Sequence, residues 1–293
     1  MTVLAGPRPV SAVSLLLPAA LLLLLLGFMA AESGALRPGE PVASVPAPPT
    51  VTIAPRAYSY RAAGEFLRDG VAGDGPLIGV VAPPPLEIMT YQVTAADYWR
   101  CVVAGACEAA EPRRKGEGDV PVTGVSFEDA EDYAHWLSAA TGTTWRLPTI
   151  GEWTFAAGSK AIDPVIGVGS GGDPAARWLA EYERESALGA RAFAPPEPVG
   201  RFGVNEFGVA DLAGPVWEWT ASCNGRTALD AGGRQLSHIE SCGVRFVEGR
   251  HRAAMSTFVR DARGGGCSVG ALPDNLGFRL VREPSWFQRL FGA

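Results

Sequence analysis

The chain has 293 residues, 47% of them hydrophobic, and a formal net charge of −6, enough for one large domain or two small ones. Its 25 basic residues gather into no long run, which argues against nucleic acid as a partner, because phosphate binding needs a concentrated cationic surface. Much of the apolar content sits in one segment near the start.

That segment runs from Pro9 to Ala31 without a charge, between Arg8 and Glu32, and its centre is unbroken leucine from Leu21 to Leu26. It is long enough to cross a bilayer as a helix, and Arg8 favours an N-terminus held inside. Two readings stay open for residues 1–31: a retained membrane anchor, or a signal peptide cut near Ala31-Glu32-Ser33 or Ser33-Gly34-Ala35. Both place the rest of the chain in the periplasm or otherwise outside the cytoplasm. Residues 32–55 hold six prolines, from Pro38 to Pro55, and read as an extended spacer. One folded domain is expected over 56–283. The tail, 284–293, carries Trp286, Phe287, Leu290 and Phe291 and would dock on the domain or touch lipid.

Three helix starts are legible. Thr94, Ser126 and Thr149 are each followed three residues later by Asp97, Asp129 and Glu152, so a hydroxyl can accept an orphan backbone N–H while a carboxylate answers it. The second helix is the clearest, with Phe127, Ala130, Tyr133, Ala134 and Leu137 at helical spacing and Gly142 at its end. Gly105 and Gly158 suit the ends of the other two. Short apolar runs at Val244–Val247 and Gly277–Val281 suggest strands. The pattern is α+β with much irregular chain, not alternating β and α. Of five cysteines, Cys101 falls in the last turn of the first helix, and Gly105 can turn the chain so that Cys107 folds back to it. Cys223 with Cys242 is the second expected bridge. Cys267 would be left as a reactive thiol, although its pairing with Cys223 or Cys242 stays open.

Four ordered motifs then carry a resemblance. They are Pro121-Val122 through Ser126-Phe127-Glu128-Asp129-Ala130; Arg146-Leu147-Pro148-Thr149 with Glu152-Trp153; Phe207-Gly208-Val209-Ala210-Asp211-Leu212-Ala213-Gly214-Pro215-Val216-Trp217-Glu218-Trp219; and Asn275-Leu276-Gly277-Phe278-Arg279. Together they resemble the formylglycine-generating enzyme, or sulfatase-modifying factor, family. The resemblance implies a C-type-lectin-like α+β fold stabilised by calcium, with the tryptophans as packing and Arg146 and Arg279 paired with carboxylates. It also implies calcium ligands: the side chains of Asp211 and Glu218 and the carbonyls of Gly214 and Val216, hard oxygen donors of the kind calcium prefers. Pro215 stands where the family usually has Asn.

The family's chemistry uses two cysteines five apart that bind copper(I). The corresponding stretch, Val244 to Arg263, contains none. One register puts Ala253 and Phe258 at the ligand positions, and another puts Arg250 and Met255 there. Met255 with His251 is the fallback for copper, and neutral ligands do not replace thiolates. His238-Ile239-Glu240 with His251 has the residue types of an iron site, at a spacing that forces nothing together. Copper and iron are therefore not expected, and no catalytic residue is assigned. The expected function is that of a catalytically divergent, exported accessory, maturation or binding protein. Exported members that this chain resembles are encoded near bacterial nitrite reductase, which implies a secreted or periplasmic polypeptide partner, such as that metalloenzyme. The competing readings are an oxidoreductase with an altered metal or thiol centre, and formylglycine generation on exported sulfatases, which the missing cysteines disfavour.

Overall fold

The computed structural model describes residues 45–163 without 117, residues 195–265 without 213, and residues 275–284, with isolated positions elsewhere. The chain divides into units Met1–Ser44 and Val45–Ala293, and the described fold belongs to the second. The expected membrane segment (apart from Leu22 and Leu25), Cys267 and the tail from 285 onward lie outside the described residues. Among the described residues no helix is long and apolar enough to cross a membrane.

The strands come first. β1 (Thr50–Ile53), β2 (Tyr58–Arg61), β3 (Glu65–Arg68), β4 (Val71–Gly73), β5 (Leu77–Val80) and β6 (Leu86–Met89) precede the helices α1 (Ala95–Val103) and α2 (Phe127–Thr141). β7 (Trp145–Arg146) and α3 (Ile150–Ala157) follow. Then come β8 (Val216–Leu229), β9 (Gln235–Glu248), β10 (Ala253–Ser256), α4 (Ala262–Gly265), β11 (Asn275–Gly277) and β12 (Val281–Arg282). A four-stranded sheet has the order β1-β6-β12-β7, and a larger one runs β10-β9-β8-β3-β4 with β11 beside β8. β2 and β5 form a separate ribbon. Short helices set among mixed sheets make this the expected α+β fold.

The helix starts form as their sequences dictate. Ser126 and Thr149 make complete capping boxes with Asp129 and Glu152, satisfying two orphan donors each. Thr94 makes half of one: it accepts from the Asp97 N–H, while its own hydroxyl donates to the Asp97 carboxylate. Gly142 ends α2 in the left-handed region at φ 68°, which a residue without Cβ adopts at no steric cost.

One boundary moves. Thr50–Ile53 lies inside the segment expected as spacer, yet it pairs residue by residue with Leu86–Met89. Ile53 is 2% exposed in the apolar cluster with Ile88 and Trp153. The prolines on either side hid a strand of four residues, too short for its alternation to stand out. The folded unit therefore begins before residue 56.

Two apolar clusters lie on either side of β8. Strand alternation sends Trp217 and Trp219 into the larger one, with Phe127, Tyr133, Leu137 and Phe278. It turns Glu218 toward the smaller one, where Trp153 receives it. The buried indoles keep their N–H groups satisfied: Trp217 donates to the His251 carbonyl at 3.0 Å and Trp219 to that of Val125 at 2.9 Å. Arg260 ties the loop after β10 to the start of α2, contacting Asp129 at 2.7 Å, Glu111 at 2.8 Å and Glu108 at 3.0 Å.

Both expected disulfides are present, Cys101–Cys107 with Cα atoms 5.3 Å apart and Cys223–Cys242 at 4.5 Å. The first closes a short loop, and such loops lose little unfolded-state entropy. Replacing Cys101 and Cys107 together by serine should therefore lower the unfolding free energy by about 2 kcal/mol, read from urea titrations of the oxidised protein and the double variant.

Candidate functional site

The motif residues converge on one buried charge. Glu218 is 1% and Arg279 0% exposed. Arg279 Nε and Nη2 meet the two carboxylate oxygens at 2.6 and 2.7 Å. The other guanidinium donors go to the carbonyls of Met89, Thr90 and Ala210, so all five N–H groups of the arginine are used. Glu218 also accepts from Gln92 Nε2 and Trp153 Nε1, each at 2.8 Å. Each carboxylate oxygen thus takes two donors.

That arrangement gives Glu218 partners other than the expected calcium. A carboxylate offers about four lone-pair sites, and on Glu218 N–H donors fill them all. A guanidinium already supplies the positive charge that calcium would bring. Asp211 faces other partners: its carboxylate accepts from the backbone N–H groups of Gly200 at 2.5 Å and Phe202 at 2.8 Å. It closes that loop from a left-handed backbone, φ 60°. The Pro215 carbonyl accepts from Asn275 Nδ2 at 3.1 Å, and Val216 pairs with Asn275 in the sheet. The Asp211 and Glu218 carboxylates thus have protein donors as partners, and Glu218 serves Arg279. Arg146 plays the second scaffold role, pairing with Glu152 at 2.5 Å and also with Glu283.

The iron reading also fails on geometry. His238 bonds Thr227 across the β8–β9 ribbon, whereas His251 packs on Trp217 with ring centroids 5.4 Å apart. Ten strand residues separate Thr227 from Trp217, roughly 30 Å of extended chain.

The stretch that should carry copper ligands is packed as scaffold. Ala253 is 3% and Met255 0% exposed in the larger apolar cluster. Phe258 stands in solvent at 71%, and the Arg250 guanidinium lies 4.8 Å from the Trp217 ring centroid. Gly249 is required here, since a Cβ would come within 2.7 Å of the Trp217 ring. Met255 and His251 thus serve the core and the Trp217 face.

Opposite Glu218 in the strand register sits Glu248, so the two carboxylates share one face of the ribbon. Arg252 meets Glu248 at 2.5 Å. Burial pushes the Glu248 carboxyl above its usual range, against the pull of Arg252 and His251. Arg252 also donates to the Arg61 carbonyl at 2.9 Å and borders a cavity of about 490 Å³.

This cavity is walled by the β2–β5 ribbon, the end of α3 and the loop around Glu206. Arg61 bonds both oxygens of Asp163, at 2.8 and 3.0 Å. Arg56 lies between the rings of Phe155 and Phe207, 4.1 and 4.0 Å from their centroids. Glu206 accepts from the Ser159 N–H and hydroxyl, both at 2.7 Å, and these bonds hold its carboxyl below the usual range. Burial raises the Tyr58 phenol. The wall therefore offers fixed arginine and carboxylate pairs beside the aromatic Tyr58 and Tyr60. Sequence reasoning gave none of them a role here: they come from separate segments, and only Phe207 lies in a motif.

Comparison with known proteins agrees with this geometry. The model of the sulfatase-modifying factor enzyme 1-like domain matches residues 40–284. The chain belongs to this family. A formylglycine-generating enzyme of Mycobacterium tuberculosis is 36% identical over 109 residues, covering 35% of this chain and 33% of that protein. The mouse protein named inactive C-alpha-formylglycine-generating enzyme 2 is 30% identical over 206 residues, 68% of this chain and 61% of its own. The chain thus spans between a third and three fifths of these relatives. Among solved structures, PvdO from Pseudomonas aeruginosa superposes with a TM-score of 0.52 at 22% identity, over 81% of this chain and 95% of its own, which supports the shared fold. Family members bear both active and inactive names, so the residues of this chain must decide its chemistry.

Two outcomes test the site. A calcium chelator reads whether these residues also hold an ion: a fall of several degrees in the melting temperature that Asp211→Ala abolishes would place calcium at this loop, and an unchanged value would remove it. Arg279→Met should cost about 3–5 kcal/mol by stranding a buried carboxylate, and adding Glu218→Leu should recover much of that loss in denaturant titrations.

Proposed function

We propose that this chain is a catalytically divergent member of its family. It acts outside the cytoplasm, held there by residues 9–31 or released by their cleavage, as an accessory or maturation protein for a partner polypeptide. The observation that carries the reading is the packing of 253–258. The positions at which the family's chemistry needs two thiolates hold Ala253, Met255, Phe258 or Arg250, and two of these lie in the core. Four of the five cysteines are tied in bridges. Thiolates make copper(I) centres electron-rich, and no rotation of these side chains supplies one.

The cavity beside Arg252 is the binding surface in this reading. Its size suits a few side chains of an extended segment. Paired arginines and carboxylates offer directional polar contacts, and Tyr58 and Tyr60 offer apolar area with hydroxyl ends. For the partner we keep the expectation of a periplasmic metalloenzyme such as nitrite reductase.

Two experiments bear on this. Purified protein given copper, oxygen, reductant and a cysteine-containing sulfatase peptide should yield no formylglycine by mass spectrometry; copper-dependent turnover would overturn the divergent reading. A photo-crosslinking residue at Ser59, exposed on the cavity wall, should form a covalent adduct with a defined polypeptide in the producing cell. Its absence at Ser59, with the fold intact, would remove the cavity from that role.

A further inference from the structure

The β8–β9 ribbon runs on beside β3, which pairs with β8 from Arg226 to Leu229, and residues 235–243 of its outer strand are exposed. The register pairs Gly225 with Glu240 and Thr227 with His238, so these four share one face; past the irregularity at Cys223 and Asn224 the bridge joins Cys223 to Cys242. The ligand atoms of Cys223, Cys242 and Glu240 lie within 4.8 Å of one another. His238 bonds Thr227 through Nδ1 at 2.9 Å, which leaves Nε2 as the ring atom available to a metal. The ring lies over Gly225: a Cβ there would meet Cε1 at 2.8 Å and Nε2 at 3.4 Å. The glycine keeps open the ground between the imidazole and the sulfur pair, directly opposite Glu240.

We propose that this face is a redox-gated metal site. With the bridge closed it holds no metal. With the bridge open, Cys223, Cys242 and Glu240 bind a thiophilic divalent cation of the zinc class, and His238, whose ring nitrogens lie outside that 4.8 Å group, turns in to complete the set. Two sulfurs, one imidazole and one carboxylate make a tetrahedral donor set that zinc accepts. The proposal does not depend on the cavity.

Opening the bridge needs a two-electron reductant, here a dithiol. One of its thiolates attacks a sulfur of the Cys223–Cys242 bond, which breaks. Its second thiol then resolves the mixed disulfide, so the dithiol leaves as its own disulfide and two protons come to rest on Cys223 and Cys242. Zinc displaces those two protons to solvent as it binds. Access selects the bridge: Cys242 is exposed, whereas Cys101 is 0% and Cys107 9% exposed, so an attacking thiolate reaches this one first.

The test uses full-length protein treated with limiting dithiothreitol, with alkylation and peptide mapping to confirm that Cys223 and Cys242 alone have opened. Competition with a chromophoric chelator then measures zinc. The reduced protein should bind about one equivalent of zinc, the oxidised protein none, and C267S should behave as wild type. E240Q and H238A change exposed side chains without touching either bridge, and each should weaken zinc by about tenfold or more. Equal binding by the oxidised protein, unchanged affinity in both variants, or loss of the near-ultraviolet dichroism on selective reduction would each overturn the proposal.

Discussion

A buried arginine organises this fold. Arg279 lies two residues before β12, and its five donors reach the Glu218 carboxylate on β8 and three carbonyls from two other segments. An ion pair removed from water recovers its desolvation cost only when geometry and further hydrogen bonds are both good. Here Gln92 and Trp153 complete the carboxylate and the carbonyls complete the guanidinium. The pair therefore fixes where the end of the chain, the loop before β8 and the segment after β6 must meet. β11 can pair with β8 in parallel, and β12 with β6 and β7, only if that meeting holds.

The same logic explains the second carboxylate. Glu248 faces Glu218 across the ribbon, and two uncompensated carboxylates there would repel each other in a low dielectric. The chain answers each with its own arginine. Arg252, four residues after Glu248, also reaches back to the Arg61 carbonyl, which joins the sheet to the ribbon that walls the cavity. The charge compensation that stabilises β8–β9 therefore also positions the cavity edge.

Legibility in the sequence followed locality. Capping boxes at Ser126 and Thr149 were readable because donor and acceptor lie three residues apart, and Cys101 with Cys107 because one helical end and one glycine set their approach. The Arg146 and Arg279 pairings were readable as roles, though not as partners. Glu218 shows the limit: its type and spacing are equally consistent with serving a cation or an arginine 61 residues away, and only the packed chain chooses. β1 was hidden by its prolines. The cavity could not be read at all, because Arg56, Asp163, Glu206 and Arg252 share no local pattern and meet only through the fold.

Membership and chemistry separate cleanly in this chain. The residues that carry the family resemblance are Arg146, Glu152, Trp153, Trp217, Glu218, Trp219 and Arg279, and each is occupied in holding the scaffold: ion pairs, indole hydrogen bonds and cluster packing. None of them needs a metal in order to do so. A thiolate centre asks for something different, two side chains held at an accessible turn with their sulfurs converging. Between Val244 and Arg263 the alternation instead buries Ala253 and Met255 and leaves Phe258 outside, a strand that adds apolar contacts to the larger cluster. The scaffold thus needs no thiolate centre in that strand, since the Arg279 donors go to Glu218 and to the carbonyls of Met89, Thr90 and Ala210. The fold keeps its charge compensation and its two cores without a cysteine in that stretch, and the cavity beside Arg252 has its own walls.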